Sequence, residues 1–242
     1  MFENIIEFSA HEDYVNIKEN YPKPIKTNIP EWFKKLKHNK ESRTVKGCIP
    51  FLQTLTTGYL LTLPQSIHLK HNVVDEANVK TEMRITSNIG EYVNLNTHHP
   101  QLHPPFQVAG SPHLKKNNDL PVQKILNPWH IKTPRGYSCL FLPPLNNTDD
   151  RFSIIPGIVD TDTLPVQVNF PFIVNGDKYP MLDTIIEIGT PYVQIIPFKR
   201  ESWQMKIKKQ KKKDHVSTIK KFFLTDFHRY KNNYWIKDIK WK

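Results

Sequence analysis

Three sets of residues in this 242-residue chain have types and spacings suited to chemistry. The first is the acid pair Asp160 and Asp162, set in Phe152-Ser-Ile-Ile-Pro-Gly-Ile-Val-Asp-Thr-Asp-Thr-Leu-Pro-Val-Gln-Val-Asn-Phe-Pro-Phe172 and closed by Ile186-Glu-Ile-Gly-Thr-Pro-Tyr-Val-Gln-Ile-Ile-Pro-Phe198. Alternating apolar residues, turn residues and acids coincide there within about fifty positions, so a ligand pocket is expected at this place. The alternative is structural, with both carboxylates accepting backbone N–H groups in a tight turn between strands. The second set is the imidazoles of His98, His99, His103, His113 and His130, with Asp119 among them. Two histidines and a carboxylate on a β scaffold can hold non-haem iron or zinc. No His-x-Asp/Glu pair with a distant third histidine is present, and adjacent His98 and His99 point to opposite faces if extended. The competing reading is a proline-braced loop whose histidines bond backbone or water. The third set is Lys206, Lys208, Lys209, Lys211, Lys212 and Lys213, interleaved with Trp203 and followed by Phe222, Phe223, Tyr230, Tyr234, Trp235 and Trp241. Ammonium groups seek phosphates and the rings can stack on bases, although a solvated basic helix with its aromatics packed inward has the same composition.

The charge balance isolates that third set. The whole chain carries +11, yet residues 1–198 hold 19 Lys/Arg against 19 Asp/Glu, while residues 199–242 hold 15 against 4. All of the excess therefore lies in the last segment, which points to an acidic partner for it. Cys48 and Cys139 are far apart and belong to no Cys-x-x-Cys pair, so neither a zinc ribbon nor a redox motif has support, and no cofactor is expected. No apolar run approaches the roughly 20 residues that a membrane helix needs. Met1-Phe-Glu-Asn-Ile-Ile-Glu7 also lacks the basic start and apolar centre of a secretory signal. The expectation is a cytoplasmic protein with no membrane span, residing in the host cell cytoplasm if viral.

The elements that must position these residues are mostly strands. Eight glycines against 20 prolines mean that X-Pro corners, Asn and Asp make the turns, a punctuation that disfavours long helices. Strands of period two are predicted at Ile49–Leu52, Thr57–Leu63, Ile67–Leu69, Val79–Ile85, Tyr92–Leu95, Ile131–Thr133 and Gly136–Leu142, continuing through the central stretch. Before them, residues 1–46 form an arm with a short amphipathic helix, capped by Asn28 with Pro30 in its first turn and Trp32, Phe33 and Leu36 on one face. That face either packs on the domain or docks on a partner. Between the strands, residues 96–130 lose the alternation and hold a loop of about 25 residues without clear secondary structure, a length more often functional than a shorter one. After Phe198 the spacing of Val216, Ile219, Phe222, Phe223, Phe227 and Tyr230 predicts a basic helix with one aromatic face. The expected organisation is thus an arm over 1–46, a β domain over 47–198 and a basic aromatic helix or tail over 199–242.

Two resemblances add to this. Gly157-Ile-Val-Asp160-Thr-Asp162 and Gly189-Thr-Pro-Tyr-Val-Gln194-Ile-Ile resemble the third and fourth motifs of the trimeric dUTPase and dCTP deaminase family, a Gly-Val-Val-Asp-x-Asp-Tyr turn and a Gly-x-x-x-x-Gln-Leu strand. Thr133-Pro-Arg-Gly-Tyr-Ser138 loosely resembles that family's Pro-Arg-Ser-Gly phosphate turn. The resemblance spans residues 130–198 and implies a β-clip-like or jelly-roll fold, a water-orienting Asp160, and a pocket of Arg135, Asp160, Asp162 and Gln194. Thr163 stands where the family has its nucleoside-stacking tyrosine, Pro165 replaces a glycine, and no glycine follows Gly189 to build the phosphate clamp. The resemblance therefore implies the fold rather than the hydrolysis. Ile29-Pro-Glu-Trp-Phe-Lys-Lys-Leu36, Cys48-Ile-Pro-Phe-Leu52 with Leu55-Thr-Thr-Gly-Tyr59, Asn127-Pro-Trp129 with Thr133-Pro-Arg-Gly-Tyr-Ser138, and the central stretch together resemble an uncharacterised family of tailed bacteriophages and some bacteria, which brings no established activity.

The expectation is an all-β protein, β-clip-like or jelly-roll with two sheets, flanked by an arm and a basic C-terminal helix. It acts as a phage-type accessory binding protein without catalysis, its residues 199–242 engaging nucleic acid or another polyanion, and it can form a homo-oligomer. Two alternatives stand beside it: a nucleotide-processing or metal-dependent enzyme centred on Asp160 or the histidines, and a virion or assembly component.

Overall fold

Most of the described period-two stretches become strands, and every described pair is antiparallel. The computed structural model describes residues 4–15, 18–72, 82–85, 102–112, 114, 122–146, 149–224, 228–237 and 239–242. In chain order the elements are β1 (Glu7–Ser9), α1 (Glu12–Val15), β2 (Lys23–Pro24), α2 (Glu31–Lys35), α3 (Ile49–Thr54), β3 (Tyr59–Thr62), β4 (Ile67–Asn72), β5 (Glu82–Ile85), β6 (Leu102–His103) and β7 (Val122–Ile125). There follow β8 (His130–Lys132), β9 (Tyr137–Leu142), β10 (Phe152–Ile154), β11 (Gly157–Val159), β12 (Phe170–Val174), β13 (Met181–Ile186), β14 (Pro191–Lys199) and α4 (Lys212–Leu224). Among the described residues no helix is long and apolar enough to cross a membrane.

The chain divides into two units, Met1–Lys23 with Gly58–Lys199, and Pro24–Thr57 with Arg200–Lys242. The first is mostly β. Its largest sheet runs β11-β9-β14-β3-β2, a second runs β10-β12-β7-β6, a third β13-β4-β5, and β1 pairs β8. The nine-residue β14 lies between β9 and β3 and buries Tyr192, Val193, Gln194 and Ile195 in succession, as expected of a strand covered on both faces. Strand β4 alternates instead. Ile67, Leu69 and His71 turn inward, while His68 and Lys70 face solvent and meet Asp183 of β13. The hydrogen bond from His68, followed by that from Lys70, outweighs desolvation and holds the Asp183 carboxyl below the usual carboxylate range.

One apolar core joins the sheets. Phe141 of β9 meets Phe170 of β12 at 5.4 Å between ring centroids, and Phe170 meets Tyr192 of β14 edge-on at 5.7 Å. The first residues of the chain pack against the same core: Phe8 opposes Ile131 in the β1–β8 pair, and Tyr14 and Tyr21 set their edges against Trp129. Each fully buried side chain of this size stabilises the fold by about 1.5–3 kcal/mol.

In the second unit Phe33 is buried and stacks on Phe51 at 5.8 Å, with Trp32 edge-on to both rings. Three expectations are corrected here. Ile49–Leu52 is not a strand but the start of α3, because Pro50 occupies the first turn, where its missing N–H costs nothing. Asn28 caps no helix: it closes a 3-10 turn from Ile25, and α2 starts at Glu31 with Pro30 at its N-cap and no side-chain cap. The tail is not one helix from Arg200: Lys212–Leu224 is α-helical and Tyr230–Tyr234 forms a π-helical turn, while residues 200–211 are in no regular structure, as repulsion within an uncompensated lysine run favours. The strand expected at Tyr92–Leu95 lies outside the described residues.

Candidate functional site

The central acids are held at one end of the large sheet by two interlocked turns. After β11 the chain turns at Asp160, whose carbonyl accepts the N–H groups of Thr163 and Leu164 at 3.1 and 3.0 Å. Before β9 it turns at Pro134, whose carbonyl accepts Tyr137 N–H at 3.1 Å, with Gly136 at φ 87°, the sign required at the third position of a type II turn. The carboxylates bind these turns together. Asp162 Oδ2 accepts Gly136 N–H at 2.8 Å, and Asp160 Oδ1 accepts the Ser138 hydroxyl at 2.6 Å. Behind them the buried hydroxyls of Thr133 and Thr161 lie 2.7 Å apart, and that of Thr161 donates to Cys139 Sγ at 3.4 Å. Arg135 is exposed on the same turn. The arrangement brings Arg135, Asp160 and Asp162 into adjoining turns.

Gln194 does not join them. It is wholly buried, opposite Leu142 and Leu60, and its Oε1 accepts the Leu145 N–H at 3.0 Å. Val159, which precedes the acid turn, is aligned with Cys139 and hence with Pro197, three residues or about 10 Å further along β14. A cavity of about 390 Å³ in this unit is lined by other residues, among them Pro144, Asn146, Asp149, Asp150 and Tyr192. Its acids are engaged in the fold. Arg151 clamps Asp149 through Nε at 3.0 Å and Nη2 at 2.8 Å, and Asp150 receives Lys178 together with the Tyr179 hydroxyl at 2.6 Å. The bond from Lys178, then that from Tyr179, holds the Asp150 carboxyl below the usual range.

Among the histidines, His103 and His130 are described and stand apart in role. His103 Nδ1 is 2.5 Å from Gln107 Oε1, and His130 Nε2 donates to the Leu164 carbonyl at 3.1 Å. His98, His99 and His113 lie outside the described residues. Among the described residues no group of three His, Cys, Asp or Glu side chains could hold a metal ion.

Burial separates the two cysteines. It pushes the Cys139 thiol up to about 11, against a smaller opposing effect of the Thr161 hydroxyl, whereas Cys48 is exposed. At pH 8 on the order of one Cys139 thiol in a thousand is then ionised. Iodoacetamide under native conditions is expected to label Cys48 and to reach Cys139 only after unfolding. Equal labelling of both by mass spectrometry would show that the Cys139 environment is open.

The six tail lysines are all exposed and make no ion pair or side-chain hydrogen bond among the described residues. Trp203, Met205 and Ile207 alternate with polar residues at the start of the run and are 88%, 84% and 85% exposed. The basic residues of the arm, Lys34, Lys35, Lys37 and Lys46, escaped the reading from composition because residues 1–198 are neutral overall. In the structure they belong with the tail. The second unit carries 21 Lys/Arg against 6 Asp/Glu, or +15, and the first 13 against 17, or −4.

Comparisons of the chain with protein families, with curated proteins and with solved structures give no match. The class that the fold itself defines is an antiparallel, mostly β protein, accompanied by a strongly basic second unit.

Proposed function

We propose that this is a non-catalytic binding protein of the tailed-phage accessory type, its β unit clip-like or jelly-roll in kind, whose residues 199–242 engage nucleic acid. The observation that carries the reading is the exposed run Lys206, Lys208, Lys209, Lys211, Lys212 and Lys213, without an ion pair among the described residues, with the exposed Trp203 and Met205 before it and the exposed Ile207 within it. Exposing three large apolar side chains beside six ammonium groups is unfavourable for a free surface. It suits a single strand, whose phosphates take the lysines and whose bases take the ring. Release of counterions from about six phosphates makes such binding fall with log salt at a slope of about −4 for a single strand and about −5 for a duplex.

The test measures binding of the full chain to fluorescent single- and double-stranded DNA and RNA across salt concentrations. Replacing Lys208, Lys209, Lys211, Lys212 and Lys213 by Gln is expected to abolish binding and leave the melting temperature nearly unchanged, because these side chains are exposed. Binding retained by that variant, or no binding of the native chain at low salt, overturns the proposal.

A further inference from the structure

The second unit contains a groove of about 810 Å³, within the range of about 300–1,000 Å³ common for small-ligand sites. One wall is the chain from Lys34 to Leu52, between α2 and α3; the other is the tail around a single π-helical turn, Tyr230–Tyr234. The π turn and its flanks place His228, Lys231 and Trp235, three and four residues apart, on the same wall. Lys34, Lys35, Lys37, Lys46 and Lys231 contribute to its lining, and among the described residues no Asp or Glu does.

Two of these lysines are already occupied. Lys34 Nζ donates to Glu31 Oε1 at 2.6 Å, and Lys46 Nζ donates to the Lys34 carbonyl at 2.7 Å, tying the wall together. Lys35, Lys37 and Lys231 are exposed and have no ion pair or hydrogen bond among the described residues. Between the walls the rings of His38 and His228 lie 6.0 Å apart. His38 Nδ1 accepts the Thr44 N–H at 3.0 Å, so its Nε2 carries the hydrogen. Its ring lies over Gly47, where a Cβ would stand 2.0 Å from Nε2, so only glycine admits the imidazole at this place. Ile49, Leu52 and Trp235 supply apolar lining, and Lys237 Nζ is 5.8 Å from the centroid of the Trp235 ring.

We propose that this groove binds a nucleotide, its phosphate held by Lys35, Lys37 and Lys231 and its base stacked against Trp235. Lys35, Lys37 and Lys231 share one concavity without an ion pair among the described residues, and their mutual repulsion is relieved better by a dianion than by a singly charged carboxylate. An aromatic ring and apolar lining beside those cations suit a base attached to the phosphate. None of the lysines at 206–213 lines the groove, so the site stands independently of polyanion binding by the tail. The same phosphate can come from a free nucleotide or from the 5′ end of a strand.

The test titrates the full chain calorimetrically at low salt with AMP, adenosine, and a trinucleotide carrying either a 5′-phosphate or a 5′-hydroxyl. One equivalent of AMP is expected to bind, adenosine is not, and Lys35→Gln/Lys37→Gln/Lys231→Gln weakens AMP at least about tenfold. The corresponding triple arginine variant keeps binding and shows that the fold survives. Gly47→Ala, which displaces the His38 ring without altering charge, is also expected to weaken AMP. The Lys208–Lys213 glutamine variant described above keeps AMP binding even though it loses nucleic acid. AMP and the 5′-phosphorylated trinucleotide binding equally supports a free nucleotide as ligand; tighter binding of that trinucleotide alone supports a strand end. No AMP binding, equal binding of adenosine, or AMP binding unchanged in the triple glutamine variant overturns the proposal.

Discussion

Phe141→Ala is expected to destabilise the β unit by about 3–5 kcal/mol, a third or more of the total stability of a domain of ordinary size. The ring is 1% exposed and lies where two sheets meet, between Phe170 of β12 and its own neighbours on β9, β11 and β14. Truncating it removes apolar area from the core and leaves a cavity that three ordered strands cannot close, so the loss exceeds transfer free energy alone. Phe141→Leu retains most of the volume and is expected to cost less than about 2 kcal/mol. Phe106→Ala, at a ring 75% exposed, is expected to cost almost nothing. Urea midpoints of the three variants check this, and a Phe141→Ala loss of under about 1 kcal/mol would show that the two sheets do not pack through this ring.

Gly58→Ala is expected to cost about 3 kcal/mol or more, through two effects that a control can separate. Gly58 has φ 85°, and an added Cβ would sit 2.1 Å from the Ile195 carbonyl oxygen, a backbone atom of the central strand β14. Ile195 is aligned with Tyr59 and with Phe141, so the clash can be relieved only by moving a strand paired on both sides. Gly110 has nearly the same φ, 78°, and open space around its missing Cβ. Gly110→Ala is therefore expected to lose only the conformational share, about 1–2 kcal/mol. Equal losses at the two positions, measured as denaturant midpoints, would show that β3 and β14 do not approach as closely as described.

Legibility of the fold followed the range of the signal. Ile67–Leu69 and Gly136–Leu142 were readable as strands because a half-buried strand writes its period into a few consecutive residues. Ile49-Pro-Phe-Leu52 was misread because a four-residue apolar run has no period of its own, and the informative residue was Pro50, which opens a helix as readily as it ends a strand. Val216, Ile219 and Phe222 fall within α4, whereas residues 206–211 before it have the same helix-compatible composition, no acids to relieve them, and no regular structure.

For the candidate sites the division is similar. From the sequence alone came the lysine run with Trp203, since charge clustering is a local property, and the acid pair Asp160 and Asp162 in a turn, since turn chemistry is local too. That Asp162 closes onto Gly136, that Gln194 is buried three residues away along β14, and that Lys35 and Lys37 share a groove with Lys231 were decided by the tertiary structure. Those contacts join residues tens to nearly two hundred positions apart. No short-range pattern records them, because which distant faces meet depends on the apolar area that each pairing buries against the entropy of closing the loop between them.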